Sequence, residues 1–487
     1  MNALTKGPRA AWTLALTGAA LFMTSLDNLV VGVALPSIRA DLGGSIEALE
    51  WTVNAYTLAF AVLLLTGAAL GDRFGRKRMF LIGVGLFTTS SALAALAPSI
   101  EALIAARALQ GVGAAIVTPL TLTLVSEAFP PERRGMALGI WGGISGLGVA
   151  TGPFVGGAIV EGIAWQWVFW LNVPVGLALL PLARRFLNES YGPDKALDLG
   201  GLALAGAGLF GITFGIIRGQ ALGWTSAPIL ASLGIGLALI AAFIAYERRR
   251  EAPMLPMRFF RSRRFAATNG LSFAMFFGTF GAIFLLSQFF QTAQGLGPFE
   301  AGARTLPWTA MPMFVAPIAG ILSDRIGTKP LMATGIALQA IGLGWIALIT
   351  EPTVSFAALI PPFVLAGSGM ALVFPTAAAS VLASVRPDEA GKASGANNAI
   401  REVGGVMGVA VLASVFAANG GYESPTAFND GVVAALPVAV VVLAIGFVLA
   451  LVVPGRSSST AAAAGSESSR RGPTAGTRRI TQPAPSR

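Results

Sequence analysis

Residues 54–97 read NAYTLAFAVLLLTGAALGDRFGRKRMFLIGVGLFTTSSALAALA, two apolar runs joined by a short, strongly charged hinge. Each run is long enough to cross a hydrocarbon core of roughly 30 Å as a helix. A hinge carrying Asp72, Arg73, Arg76, Lys77 and Arg78 has to stay in water. The stretch therefore predicts two membrane-spanning helices, near residues 47–71 and 77–97, that meet in a tight polar turn.

The same alternation continues in both directions. Further runs predict spanning helices near 10–35, 100–125, 135–160, 164–187, 197–217, 227–246, 265–290, 299–322, 330–350, 354–382, 393–418 and 429–453, which makes fourteen. Of the 487 residues 54% are hydrophobic and only 11% charged, and the mean hydropathy is +0.72, too few charges to coat a water-soluble surface of this size. The basic residues test the count, because an error of one helix would swap the sidedness of every later loop. Of 33 Lys and Arg, 28 fall on the N-terminal segment, every second loop and the C-terminal tail. Arg39, Arg218 and Arg304 lie on the opposite side, while Arg107 and Arg401 fall inside helices. The expectation is an all-α polytopic protein of the cell (inner) membrane with both termini cytoplasmic. Lys6 and Arg9 before an apolar run have the outline of a signal peptide, but the run is long, carries Asp27 and lacks a cleavage site, so it reads as a retained first helix.

The net charge of +10 is distributed over alternate loops and the tail, which argues against a nucleic-acid surface. With no Cys and no His, disulfides, thiolate nucleophiles, His-ligated metals and imidazole chemistry are all excluded. No nucleotide-binding loop and no metal-ligand cluster are legible, so neither enzyme, cofactor nor metal is expected. Any proton the chain handles must travel on Asp, Glu, Lys, Arg or Tyr. After Pro454 the chain turns rich in Ser, Pro and Arg and reads as disordered; its six Arg suit attraction to anionic headgroups or simple solubility. The stretch YERRREAPMLPMRFFRSRRF, residues 246–265, reads as an interfacial amphipathic element or a topology anchor.

Several polar or glycine-rich patterns interrupt the apolar helices. The hinge GAALGDRFGRKR, from Gly67 to Arg78, has a weaker counterpart in GILSDRIGTK, from Gly320 to Lys329. Small residues there let helices approach, and the Asp and basic residues can bridge helix ends. Arg107 opens RALQGVGAAIVTP in the fourth helix, at an insertion cost of roughly 2.5–3.5 kcal/mol that implies a task. The fifth helix carries Gly139, Gly148, Gly152, Pro153, Gly156 and Gly157, a groove against which another backbone can pack. In the first helix Asp27 stands about 17 residues, roughly 25 Å, from the cytoplasmic start, where desolvation makes a neutral form accessible. Arg401 and Glu402 lie adjacent inside the thirteenth helix and, about 100° apart, need not pair. Trp51, Asn54 and Tyr56 open the second helix, WQWVFWLNVPVG spans Trp165 to Gly176, and Phe273, Phe277, Phe280 and Phe284 form an aromatic face on the ninth helix. That face suits lipid contact or helix packing, or a site for aromatic compounds.

These patterns resemble the major facilitator superfamily. Asp72, Arg73, Gly75, Arg76 and Lys77 match its G-x-x-x-D-R-x-G-R-[KR] loop, and Asp324, Arg325, Gly327 and Lys329 match a second copy 252 residues on, further than two consecutive six-helix halves would place it. Arg107, Gln110, Gly111 and Gly113 match R-x-x-Q-G-x-G, and the fifth helix matches the family's antiporter motif G-x8-G-x3-G-P-x2-G-G. SLDNLVVGVALP resembles L-D-x-T-I-V-N-V-A-L-P of the fourteen-helix drug:proton antiporters, with Leu29 and Gly32 in place of the usual Thr and Asn. Glu402 departs from the neutral residue common at its position.

The resemblance implies two six-helix bundles, residues 1–190 and 265–453, with two extra helices in 191–264 and a tail from 454 to 487. It implies proton coupling or substrate contact at Asp27, Arg107 and Glu402, a substrate cavity touched by Asn54, Tyr56 and Gln110, and a conformational latch built from Asp72, Arg73, Gly75, Arg76, Asp324 and Arg325. The expected function is proton-driven export of hydrophobic drugs or toxic metabolites, cationic or neutral, by a monomer in a lipid bilayer; proton-coupled uptake of a small solute is the alternative, disfavoured because uptake symporters generally lack the fifth-helix motif.

Overall fold

The computed structural model describes residues 6–192, 198–251, 253–386 and 389–454, so the tail beyond Pro454 lies outside the described residues. The chain forms helices α1 (Lys6–Leu42), α2 (Ile46–Phe74), α3 (Arg76–Ala95), α4 (Ile100–Ala128), α5 (Pro131–Gly162), α6 (Trp167–Trp170), α7 (Asn172–Phe186), α8 (Leu199–Leu222), α9 (Ala227–Glu247), α10 (Arg263–Thr292), α11 (Pro298–Arg304), α12 (Leu306–Thr309), α13 (Met311–Ile326), α14 (Thr328–Ile349), α15 (Phe356–Leu382), α16 (Ala390–Asn419) and α17 (Pro425–Val452). No strand occurs among the described residues. Thirteen helical segments among them are long and apolar enough to cross a membrane, with α6–α7 forming one and α11–α13 another. The remaining long helix is α5, of 32 residues.

Two expected helices are broken, and proline explains both. Pro174 has no N–H to reach the Trp170 carbonyl, which separates α6 from α7 inside the expected 164–187 helix. Pro307 and Pro312 likewise leave the Ala303 and Trp308 carbonyls without helical donors, which divides the expected 299–322 helix into α11, α12 and α13. Helix starts follow local chemistry: Ser45, Ser99 and Ser424 accept from the backbone N–H three residues on, and Asp198 caps α8 at 2.8 Å. Gly75 between α2 and α3 and Gly327 between α13 and α14 take φ of 103° and 85°, so the two related loops turn on glycine at the same position.

Helices α1–α7 pack on one another through α2–α4, α3–α4, α1–α5 and α3–α7, and α10–α17 do so through α14–α15, α10–α16 and α10–α17. The two groups meet along α2–α16 and α5–α11. Helix α8 lies over that seam, touching both α2 and α16, and α9 packs outside it. The aromatic face of α10 points inward: Phe276, Phe277 and Phe284 are buried, and Gly404 and Gly408 of α16 receive the backbone at Phe273 and Phe277. This is helix packing, and the lipid-contact reading of that face is set aside.

Candidate functional site

The apolar interior of the first helix group holds one polar cluster, and Asp27 is at its centre. Asp27 is fully buried on α1. Its Oδ2 accepts from Arg107 Nη1 at 2.5 Å, and its Oδ1 accepts from Gln110 Nε2 and Asn172 Nδ2, both at 2.8 Å. The spacing of Arg107 and Gln110, three residues apart on α4, puts both on one helix face, and Arg107 Nη1 also donates to Gln110 Oε1 at 2.7 Å. Ser91 of α3 accepts from Gln110 and Asn172 and donates to the Phe169 carbonyl at 2.9 Å. Arg107 Nε donates to the Thr52 carbonyl of α2 at 3.1 Å. The Asp27 carboxyl thus meets one cation and two amide donors.

One donor of this cluster has no acceptor. Arg107 Nη2 is buried and without a hydrogen bond, and the guanidinium carbon stands 4.2 Å from the centre of the Tyr56 ring and 5.8 Å from that of Phe169. Tyr56 of α2 donates to the Thr24 carbonyl at 3.4 Å. Tyr56 is within electrostatic reach of Asp27 in its own helix group and, across the seam, of Glu402. Asn54, two residues before Tyr56 on α2, is buried with both amide atoms unpartnered.

Arg401 and Glu402 are both buried on α16 and make no ion pair with each other within 4 Å, as their 100° separation implied. Arg401 bonds Asn398 and lies over the Phe374 ring at 4.3 Å and the Phe276 ring at 5.0 Å. Glu402 Oε2 has no hydrogen-bond partner. A buried, unsatisfied carboxylate oxygen is expensive unless the group is neutral or has a partner yet to arrive.

The hinge residues come together at the end of the helices that carries the basic loops. Arg76 bonds Asp72 at 2.8 and 2.9 Å and also pairs with Glu127 at the end of α4. Glu189 accepts from the Lys77 and Arg78 backbone N–H groups, and Gly192 N–H donates to the Asp72 carbonyl. The bonds of Asp72 and Arg76 stay within the first helix group in this conformer, and Arg73 lies over Phe74 at 5.1 Å. Asp324 and Arg325 occupy the last turn of α13, and the Asp324 side chain lies outside the described residues.

The fifth-helix glycines face two ways. A methyl group at Gly148 would sit 3.0 Å from the Phe22 carbonyl, at Gly152 3.1 Å from Leu29 Cβ, and at Gly156 2.5 Å from a Val30 methyl, so this stripe seats α5 on α1. Gly157 instead abuts the Pro298 carbonyl, and the Pro153 carbonyl abuts Gly302, which joins α5 to α11 of the other group. Gly139 lies in the part of α5 whose side-chain surroundings are outside the described residues.

The opposite, far end of the molecule holds residues that sequence reasoning passed over. Ser287 and Gln291 of α10 donate to the Gly32 and Val33 carbonyls of α1 at 3.3 and 2.9 Å. Arg39 stacks on the Tyr422 ring at 3.9 Å, and Tyr422 donates to Gln288 Oε1 at 2.5 Å. Burial pushes the Tyr422 phenol up, with Arg39 pulling the other way, so the hydroxyl remains a donor. Glu161 of α5 accepts from the Phe299 N–H at 2.9 Å. These contacts close the far end. Asn172 and Ser91 were also missed; their signal was one amide in an apolar run and the last of four consecutive hydroxyl residues, Thr88 to Ser91, patterns too common to single out.

Comparison with known proteins agrees with this architecture. The Major Facilitator Superfamily model matches residues 17–409 and 268–480. Over 408 residues, 83% of this chain and 76% of the relative, it is 37% identical to the multidrug resistance protein Stp of Mycobacterium tuberculosis. It is 34% identical over 416 residues, 85% and 77% of the two chains, to the tetracenomycin C resistance and export protein of Streptomyces glaucescens. It is 37% identical over 469 residues, 93% and 95% of the two chains, to the cephamycin export protein CmcT of Amycolatopsis lactamdurans. Among solved structures it superposes on a POT family transporter in complex with a thioalcohol-conjugated peptide, with a TM-score of 0.69, 15% identity and 90% and 96% of the two chains covered. It also superposes on the human organic anion transporter MFSD10, with a TM-score of 0.63, 17% identity and 91% and 99% covered; these two likenesses speak to the fold alone. A chain built of two packed helix groups, carrying paired glycine-hinged loops and a buried Asp–Arg cluster, and matched over most of its length by that model, is a transporter that belongs to the major facilitator superfamily.

Proposed function

We propose that this protein exports hydrophobic small molecules, cationic ones among them, from the cytoplasm in exchange for protons, as a monomer working by alternating access. The names of the relatives, which speak of multidrug resistance and of the export of tetracenomycin C and cephamycin, support the direction. The observation that carries the coupling is the geometry of Asp27 and Arg107. Protonating Asp27 removes the charge paired with Arg107 Nη1, and the guanidinium already rests over Tyr56, a ring on the helix that meets α16. A proton on Asp27 is therefore felt at the α2–α16 seam, where Glu402 offers an unpartnered oxygen to a substrate cation or a second proton.

In this reading the helices within 1–190 and 265–453 are two rocking bodies, fourteen spans are present, and the termini are cytoplasmic. The conformer is then closed toward the outside by Arg39, Tyr422, Gln288 and Gln291, the stage at which an exporter loads from the cytoplasm. The Asp72–Arg76 and Asp324–Arg325 loops act as the latch that engages when the cytoplasmic side shuts. The test is uptake of a fluorescent cation into inverted vesicles under an imposed pH gradient. Transport that follows the gradient in wild type and is lost in Asp27→Asn is expected; gradient-independent transport, or an unaffected variant, would overturn the coupling.

A further inference from the structure

A second site lies on the outer surface, away from Asp27. Helices α2 and α4 pack closely, but α8 rests on α2 and not on α4, and an apolar groove of about 710 Å³ runs between the three, lined by residues such as Leu58, Ala59, Ala105, Ala207 and Phe210. The small side chains of α4 and α8 make the trough. Its walls extend from Trp51 to Leu63 on α2 and from Leu202 to Phe214 on α8, roughly 18 Å of helix each. That exceeds one leaflet's share, about 15 Å, of a hydrocarbon core.

At the far end the groove runs into a smaller cavity of about 370 Å³ through shared walls at Trp51, Glu101, Ile104 and Phe214. Unlike the groove, this cavity carries charges of both signs. Arg218, near the end of α8, faces Glu47 in the first turn of α2 and Glu101 in the first turn of α4. Arg218 makes no ion pair and no hydrogen bond among the described residues. An unpaired cation beside two carboxylates, at the mouth of a dry, chain-length trough, displays both signs of charge to one ligand.

We propose that this groove binds one phospholipid with a zwitterionic ammonium–phosphate headgroup, from the leaflet at the far end. The phosphate lies on Arg218, the ammonium lies between Glu47 and Glu101, and one acyl chain fills the trough between α2, α4 and α8. A headgroup that is only anionic would be repelled by the two carboxylates, and an amphiphile that is only cationic would be repelled by Arg218. The site is independent of export, since none of its residues belongs to the Asp27 cluster or to the α2–α16 seam chemistry.

The test is native mass spectrometry of the purified full chain after addition of dioleoyl phosphatidylethanolamine or dioleoyl phosphatidylglycerol in separate arms. One phosphatidylethanolamine per chain should be retained, about fivefold better than phosphatidylglycerol. Arg218→Gln should remove that advantage, and Ala207→Trp, which fills the trough, should abolish retention; Ala105→Phe on the opposite wall serves if Ala207→Trp does not fold. Acyl chains brominated near their middle should quench the fluorescence that is lost in Trp51→Phe. Equal retention of the two lipids, undiminished retention in both trough-filling variants, or a co-purifying transported compound in place of lipid would overturn the assignment.

Discussion

Arg107 and Asp27 stand eighty residues apart in sequence and 2.5 Å apart in space, in a site where their side chains are 1% and 0% exposed. Each is intolerable there without the other. Asp27→Asn keeps the shape and leaves Arg107 as a buried, unpaired cation, whereas Asp27→Asn with Arg107→Gln removes both charges. The single variants should therefore each destabilise the protein more than the double variant does relative to a single, with a coupling energy of about 1–3 kcal/mol in a thermal-unfolding cycle in detergent. Additive effects would show that the pair is not energetically joined. On the proposed coupling transport should be lost in all three, because the double variant relieves the buried charge without restoring the carboxylate at position 27.

Glu402 differs from Asp27 in lacking partners, and the two should fail differently. Asp27 accepts three hydrogen bonds; Glu402 Oε2 accepts none. Glu402→Gln removes no ion pair, so its stability should stay within about 0.5 kcal/mol of wild type. Its transport should weaken most for cationic compounds, seen as a rise in KM of about tenfold for a cation and little change for a neutral compound of similar size. Equal loss for both would place Glu402 outside substrate contact.

Much of the fold was legible because the membrane simplifies the reading. Long apolar runs and loops of alternating charge follow from the absence of water in the core, and they hold over nearly every expected helix. Breaks at Pro174, Pro307 and Pro312 were harder, since Pro36, Pro119 and Pro437 sit inside unbroken helices; only packing decides which proline interrupts. At the candidate site Asp27, Arg107 and Gln110 were visible as polar residues in apolar surroundings. That they converge with Asn172 and Ser91 was not visible, because tertiary packing brings residues of four helices, α1, α3, α4 and α7, to one point. The far-end closure by Tyr422 and Gln288 was invisible for the same reason.

The two hinge glycines separate backbone strain from crowding. Gly327, at φ 85°, has nothing within 4 Å of where a Cβ would stand, whereas at Gly75, at φ 103°, the Glu189 carboxyl would be 2.8 Å away. Gly327→Ala should cost only the left-handed backbone term, about 1–2 kcal/mol. Gly75→Ala should cost more, because Glu189 must release the Lys77 and Arg78 N–H groups. Thermal unfolding of both variants, with equal losses, would contradict the crowding argument.

The α5 stripe gives a paired test of helix contact. Gly156 faces Val30 of α1, but Gly143 has nothing within 4 Å. Gly143→Ala should be silent, within about 0.5 kcal/mol. Gly156→Leu should separate α5 from α1 and cost about 1–3 kcal/mol through overpacking, with transport reduced in parallel. Similar behaviour of the two would mean that the close approach of α5 and α1 is not needed.

Closure of the far end can be trapped directly, because the chain has no cysteine to interfere. Gln291 donates to the Val33 carbonyl at 2.9 Å, so these positions lie close in this conformer and should part when the far end opens. With Val33→Cys and Gln291→Cys together, a short thiol-to-thiol linker should abolish transport, and a reducible linker should allow recovery on adding reductant. The Tyr422 bond to Gln288 should not make this trapping pH-dependent in the physiological range. A phenol raised by burial contributes its stability below the unfolded value near pH 10 and loses it only as pH climbs through the still higher folded value. In the Asp27→Asn background, where the proposed proton carrier is removed, cross-linking yield should therefore be flat from about pH 6 to 9 when corrected for thiol reactivity. A yield that still varied with pH in that background would show that a group other than Asp27 controls the far end.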